Sequence, residues 1–276
     1  MKKFLLIFLF SFSSLYAQQS ENSSGNKKAD EYSFIEKIDI SIFREINNNR
    51  SAFLDNTVPI VDRSVLPTAI VTPPLMFFLS RSSNSNYDEN SAVLLGLSEA
   101  SAFGLTTGLK LALQRKRPYE YLNDVYSDIP STLGDPNSFP SGHTAMAFSM
   151  ATSLTLRYPD NPLLIVGVFT YASTIAFSRM YLGVHFPSDV LTGMLVGSGS
   201  AALIYSLRKE IFKAKNNLFG ESKQDSQEKS VNTAVLFGGI IAADLLNHFI
   251  SKSSSKVIRS ASFTTSSNGL SFQYNF

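Results

Sequence analysis

Three short patterns bring together side chains able to handle an anionic group. Lys110 is followed by Arg117 and Pro118, Pro140-Ser141-Gly142-His143-Thr144 opens an apolar stretch, and Ser178-Arg179 precedes His185 and Asp189. Lys110 and Arg117 are seven residues apart, two helical turns, which predicts both cations on one face of a helix that Pro118 helps to stop. Arg179, from another segment, would complete a clamp for a phosphate dianion, which a guanidinium grips with a planar fork. Ser141 can cap a helix or donate its hydroxyl to a phosphate oxygen. The same helix start offers unpaired N–H groups, and Gly142 allows close approach of the backbone. Asp189, four residues after His185, can accept the proton of one ring nitrogen and leave the other as a nucleophile. Each pattern alone has a plainer reading: a solvated charged face, an N-cap, a structural His–Asp pair. The chain holds only three histidines, however, and two of them fall in these patterns.

The elements that must position these residues read as helices. Apolar stretches recur at 64–80, 91–113, 143–156, 162–178, 189–207 and 232–250, which predicts an all-α bundle of about six helices. A membrane span needs about 20 apolar residues. Residues 161–178 and 190–207 are free of charge and nearly that long, whereas the others are short or interrupted by Glu99, Lys110, Asp244 or the prolines Pro67, Pro73 and Pro74. Counting spans from an exported start puts Arg208, Lys209, Lys213 and Lys215 on the cytoplasmic side, as the positive-inside rule expects. It also puts Arg115, Lys116 and Arg117 outside, against the rule, and a phosphate substrate would give those cations a reason. The bundle is therefore expected to be membrane-embedded, with its active site at the periplasmic helix ends. A soluble core would give the same signal for runs this short.

The flanks divide the rest. Residues 1–17 read as a signal peptide, or alternatively an uncleaved signal anchor: Lys2 and Lys3, then an apolar run from Phe4 to Phe12, then Ala17 before Gln18. Residues 18–54 form a polar lead and an amphipathic helix, with Phe34, Ile35, Ile38, Ile42, Phe43 and Ile46 at helical spacing and expected to pack against the body, a membrane-surface role being the weaker alternative. The bundle spans 55–207. A loop and an extra apolar helix fill 208–250, with Asp244 and His248 on one face, too few ligands for a metal site. In 251–276, Asn268-Gly269 and the alternation Leu270, Phe272, Tyr274, Phe276 signal a possible β-hairpin in a loosely ordered tail.

Composition bounds the chemistry. The 276 residues carry a net charge of only +2, too little to argue for nucleic acid as a partner. The absence of cysteine removes disulfides, thiol nucleophiles and zinc–thiolate sites.

The eleven residues Lys110, Arg117, Pro118, Pro140, Ser141, Gly142, His143, Ser178, Arg179, His185 and Asp189 follow in the order of a known pattern. Over about residues 55–207 the sequence resembles the type 2 phosphatidic acid phosphatase (PAP2) family, which shares its site with class A acid phosphatases and vanadium haloperoxidases. The stretch from Ser178 to Asp189 looks most like the lipid-phosphatase branch. The resemblance implies a metal-independent phosphatase without a cofactor. His185 would attack phosphorus to form a phosphohistidine, Asp189 would orient its ring, and His143 would protonate the leaving oxygen and then activate water. Lys110, Arg117, Ser141, Gly142, Ser178 and Arg179 would hold the phosphoryl oxygens. The implied substrate is a phosphorylated lipid of the phosphatidic acid, phosphatidylglycerophosphate, undecaprenyl diphosphate or lipid A class, or else a small phosphate ester. The implied location is the inner membrane of a bacterial cell envelope. Alternatives are a soluble periplasmic acid phosphatase, a vanadium haloperoxidase and a non-catalytic membrane protein.

Overall fold

The computed structural model describes residues 32–220 and two strand segments, 261–266 and 269–274. The signal segment and the apolar stretch 232–250, with Asp244 and His248, lie outside the described residues. The helices are α1 (Phe34–Asn48), α2 (Ala52–Arg63), α3 (Val65–Ser82), α4 (Asn86–Leu113), the single turn α5 (Pro118–Tyr121), α6 (Gly142–Arg157), α7 (Pro162–Tyr181), α8 (Pro187–Ser206) and α9 (Arg208–Phe219). The five bundle helices α3, α4, α6, α7 and α8 fall on the five apolar stretches between residues 64 and 207. Strands β1 (Ala261–Ser266) and β2 (Gly269–Tyr274) pair antiparallel with Ser266 opposite Gly269. Gly269 thus opens the second strand instead of sitting in the turn.

Helix α6 is central and touches α3, α4, α7 and α8. Small and flexible residues on it (Met146, Ala147, Met150, Ala151, Leu154) mesh with Val65 and Ala69 of α3, Leu95 of α4, and Val168, Ala172 and Ile175 of α7. The α6–α8 contact is closer still. A Cβ at Gly193 would lie 2.6 Å from the Ser141 carbonyl oxygen, and one at Gly197 would lie 2.1 Å from that of Ala145. Only glycine lets the two backbones meet here. The start of α6, which carries His143, is thereby fixed against the start of α8, which carries Asp189.

Local signals set the ends. Ser33 and Glu36 form a reciprocal capping box at α1, and Asn161 with Pro162 opens α7. Helix α7 stops where Gly183 takes a φ of +72°, and a Cβ there would lie 2.0 Å from the Tyr126 carbonyl oxygen. The turn that follows presents His185.

Two expectations are corrected. Helix α4 ends at Leu113, not at Pro118: Gln114 takes the left-handed conformation (φ 45°) and its N–H closes on the Lys110 carbonyl. Arg117 then lies in extended backbone (φ −78°, ψ 158°), as the residue before a proline prefers, so Lys110 and Arg117 do not share a helix face. Second, α1 packs against the body through Phe43 and Ile46 as expected, but it turns its other apolar residues outward. Phe34, Ile35, Ile38 and Ile42 are exposed, while Glu36, Asp39, Phe43 and Asn47 are buried.

Among the described residues, two helices are long and apolar enough to cross a membrane. They are α4 with its continuation to Tyr121, and α7; α8 and α9, bent by 66°, make a third if counted as one span.

Candidate active site

His185 sits in the loop between α7 and α8, buried. Nη1 of Arg117 approaches its Nε2 to 3.2 Å and also donates to the Val184 carbonyl at 2.9 Å. A guanidinium can only donate, so Nε2 is the acceptor nitrogen and the ring proton resides on Nδ1. That nitrogen faces Asp189 Oδ2 at 3.6 Å, a charge contact too long for a hydrogen bond.

Asp189 is fully buried and held from three sides. Oδ2 accepts from the Phe186 N–H at 2.8 Å and from the Ser138 hydroxyl, and Oδ1 accepts from Arg115 Nη1 at 2.6 Å. Arg115 is in turn clasped by Asp39 of α1 at 2.8 Å and stacks over the Phe186 ring. Asp39 also accepts from the backbone N–H and the hydroxyl of Ser188, at 2.8 and 2.6 Å. A chain of paired charges therefore links α1 to the His185 ring.

The cations come from separate segments. Lys110, at the end of α4, donates to the Asn137 carbonyl and contacts Asp135, both at 2.6 Å. Arg117 Nη2 lies 3.7 Å from the same carboxylate. Arg179 is buried against Asp62 of α2, with its Nη2 on the Ser131 carbonyl at 3.2 Å and its Nε without a partner among the described residues. Burying a charge costs several kcal/mol, and Asp62 offsets that cost for Arg179. Ser178 donates to Asp62 as well, at 2.6 Å, so its hydroxyl faces that carboxylate.

Ser141 caps α6, and its N–H donates to the Asp189 carbonyl oxygen at 3.0 Å. Gly142 is open where a Cβ would stand, and half-buried His143 follows it. Burial, then the charges of Arg179, Lys110 and Arg117, hold His143 at about 3 despite the opposing pull of Asp62. Burial and the Arg117 and Arg179 guanidiniums likewise hold His185 well below its ordinary value, so both rings are neutral. Burial pushes Asp135 up, but Lys110, the Asn137 N–H and Arg117 bring it below the usual carboxylate range.

All nine residues singled out from the sequence thus converge on one end of the bundle. The four carboxylates and Arg115 and Ser138 divide differently: Asp189 was legible, while Arg115, Ser138, Asp39, Asp62 and Asp135 were not. Arg115 lies inside the basic run before Pro118, and Asp62 is a carboxylate near the end of α2; those were the available signals.

A helical bundle that gathers two histidines among buried cations at one end can hold an anionic group such as a phosphate. The sequence profile of the PAP2 superfamily matches residues 91–213. An undecaprenyl-diphosphatase from Sulfolobus acidocaldarius is 27% identical over 162 residues, covering 58% of this chain and 73% of that protein. A lipid A 1-phosphatase from Porphyromonas gingivalis is 42% identical over 78 residues, 28% of this chain and 18% of that one. Among solved structures, a transmembrane PAP2-type phosphatidylglycerolphosphate phosphatase from Bacillus subtilis superposes with a TM-score of 0.53 at 24% identity, over 76% of this chain and 98% of that one. Residues 91–213 thus match the PAP2 superfamily, and the long apolar helices of the bundle are those of a membrane protein.

Proposed function

We propose that the protein removes a phosphate from a phosphorylated lipid, as a monoester or a diphosphate, through a phosphohistidine on His185. The observation that carries this reading is the approach of Arg117 Nη1 to His185 Nε2, which leaves that nitrogen's lone pair beside the cations. Nε2 attacks phosphorus while the bond from phosphorus to the lipid oxygen breaks, and His143 relays to the leaving oxygen a proton that the substrate's phosphoryl group brings in. Water then attacks the phosphohistidine, gives its proton to His143, and displaces His185 as phosphate departs. Asp189 keeps the Nδ1 proton in place and balances the charge on the ring. Lys110, Arg117, Arg179, Ser141 and the Gly142 backbone hold the phosphoryl oxygens, in keeping with the dominance of charge stabilisation in phosphoryl transfer. Ser178 acts through Asp62, which sets the Arg179 guanidinium.

A lipid substrate is supported by the relatives' activities and by apolar residues exposed along the spans, such as Leu163 and Leu195. An outward-facing site is supported by charge: α8 runs from Asp189 at the site to Arg208, Lys209 and Lys213 beyond its other end. Phosphate release should be measured on lipid monophosphates, prenyl diphosphates, lipid A phosphates and p-nitrophenyl phosphate, with EDTA and vanadate. Lipid preference, EDTA insensitivity and vanadate inhibition are expected. A strict divalent-metal requirement would overturn the mechanism, and preference for the soluble ester would overturn the substrate class.

A further inference from the structure

Helix α1 is built inside out for a protein in water. Its apolar residues Phe34, Ile35, Ile38 and Ile42 are 78%, 54%, 44% and 45% exposed. Their spacing gathers them on one side of the helix. The other side carries the polar groups, and each is bound to the body. Glu36 accepts from the Tyr121 hydroxyl at 3.1 Å, Asp39 holds Arg115 and Ser188, and the Asn47 amide donates to the Tyr126 and Tyr181 carbonyls at 2.8 and 3.0 Å. Phe43 lies between them against Phe186, with ring centroids 5.6 Å apart. Rolling the helix to bury its isoleucines would break every one of these bonds and leave Arg115 without Asp39. The apolar side is therefore committed outward.

We propose that this face docks into the lipid surface of the bilayer that the bundle spans, at the rim of the active site. The neighbouring surface supports a lipid occupant. Ser188, which Asp39 clasps, is in the first turn of α8, and Leu191 and Leu195, one and two turns further along that span, are 59% and 64% exposed. The α1 face sits beside the level at which this apolar strip of α8 begins, so the two are candidates for one lipid-facing surface. An amphipathic helix in such a position lies in the interfacial plane with its apolar side below the headgroups. Lys37, on the exposed side, can extend its ammonium to headgroup phosphates. The same helix that seats on lipid thus carries the carboxylate that, through Arg115, holds Asp189. This inference rests on the membrane assignment and not on the reaction.

The chain contains no tryptophan, so Ile38→Trp introduces a single reporter. The full chain would be reconstituted in phosphatidylcholine–phosphatidylglycerol vesicles, with circular dichroism matching the unsubstituted protein. Ile42→Trp serves as a second reporter should the first fail to fold. Lipids brominated near the carbonyl end of the acyl chain should quench the emission at least twofold, with aqueous iodide having little effect. Quenching by iodide and not by bromolipid would place the face in water and overturn the proposal. Quenching by neither would show it covered by protein, a second copy or another segment of this chain, and would overturn it equally.

Discussion

Arg117 Nη1 lies 3.2 Å from Nε2 of His185, and because a guanidinium has no lone pair to offer, the contact fixes the tautomer of the ring. The cation therefore does two things: it keeps Nε2 unprotonated, and it stands beside the nitrogen where a phosphoryl oxygen would arrive. Arg117→Lys keeps the charge but loses the fork that also grips the Val184 and Asp135 carbonyls. Its kcat should fall about 100- to 1000-fold, the usual loss of one oxyanion-stabilising donor. Steady-state kinetics on a variant with unchanged circular dichroism checks this; a loss under tenfold contradicts it.

Arg115 makes no contact with the His185 ring and acts through Asp189. Arg115→Lys and Asp39→Asn should each lower kcat about 10- to 100-fold, the scale of an outer-shell partner, while leaving KM nearly unchanged. A rise in KM with kcat preserved would make Arg115 a substrate ligand instead.

Asp135 is the partly exposed carboxylate of the site, at 36%, against 0–6% for Asp189, Asp62 and Asp39. It occupies the space between Lys110 and Arg117, where an arriving phosphate would compete with it. Asp135→Asn should tighten vanadate inhibition by about tenfold, equivalent to about 1.4 kcal/mol. Inhibition titrations at fixed ionic strength test this, and weaker vanadate binding would mean that Asp135 organises the cations instead of competing for them.

The pH dependence follows from two lowered histidines. A lowered pKa extends the neutral, attacking form of His185 below the ordinary histidine value of about 6.5, so kcat/KM should show no acid limb there. With His143 held at about 3, the proton for the leaving oxygen must enter with the substrate. For a phosphate monoester, kcat/KM should therefore fall about tenfold per pH unit above its second ionisation near pH ~6. A profile flat to pH ~8 would contradict this assignment.

Gly197→Ala drives a Cβ into the Ala145 carbonyl. Overpacking of this kind costs about 1–3 kcal/mol, and it should separate α6 from α8 and with them His143 from Asp189. A thermal unfolding midpoint unchanged from the parent would show that the interface yields.

The patterns legible in the sequence were those confined to one short segment. Pro140-Ser141-Gly142-His143 and the His185–Asp189 spacing carry their own local geometry, and the bundle helices announce themselves by uninterrupted apolar runs. Prolines 73 and 74 do not break α3, because its neighbours hold it as one helix. What was not legible depends on contacts between distant segments. Asp39 and Arg115 are 76 residues apart, and Asp62 and Arg179 are 117 apart, so no local spacing pairs them. The periodicity of α1 correctly gave a helix but not its direction, since an apolar stripe fits a protein core and a lipid surface alike. Arg117 was misplaced because a single left-handed residue, Gln114, ends the helix three positions before it.

The most direct test of the account is to trap the covalent intermediate. Brief incubation with substrate labelled in the transferred phosphoryl group, then alkaline denaturation, should leave acid-labile label on the protein. Peptide mapping should find it on His185. The label should be absent in His185→Ala and should accumulate in His143→Ala when the leaving group needs no protonation. Stable label on any other residue, or hydrolysis retained by His185→Ala, would contradict the account.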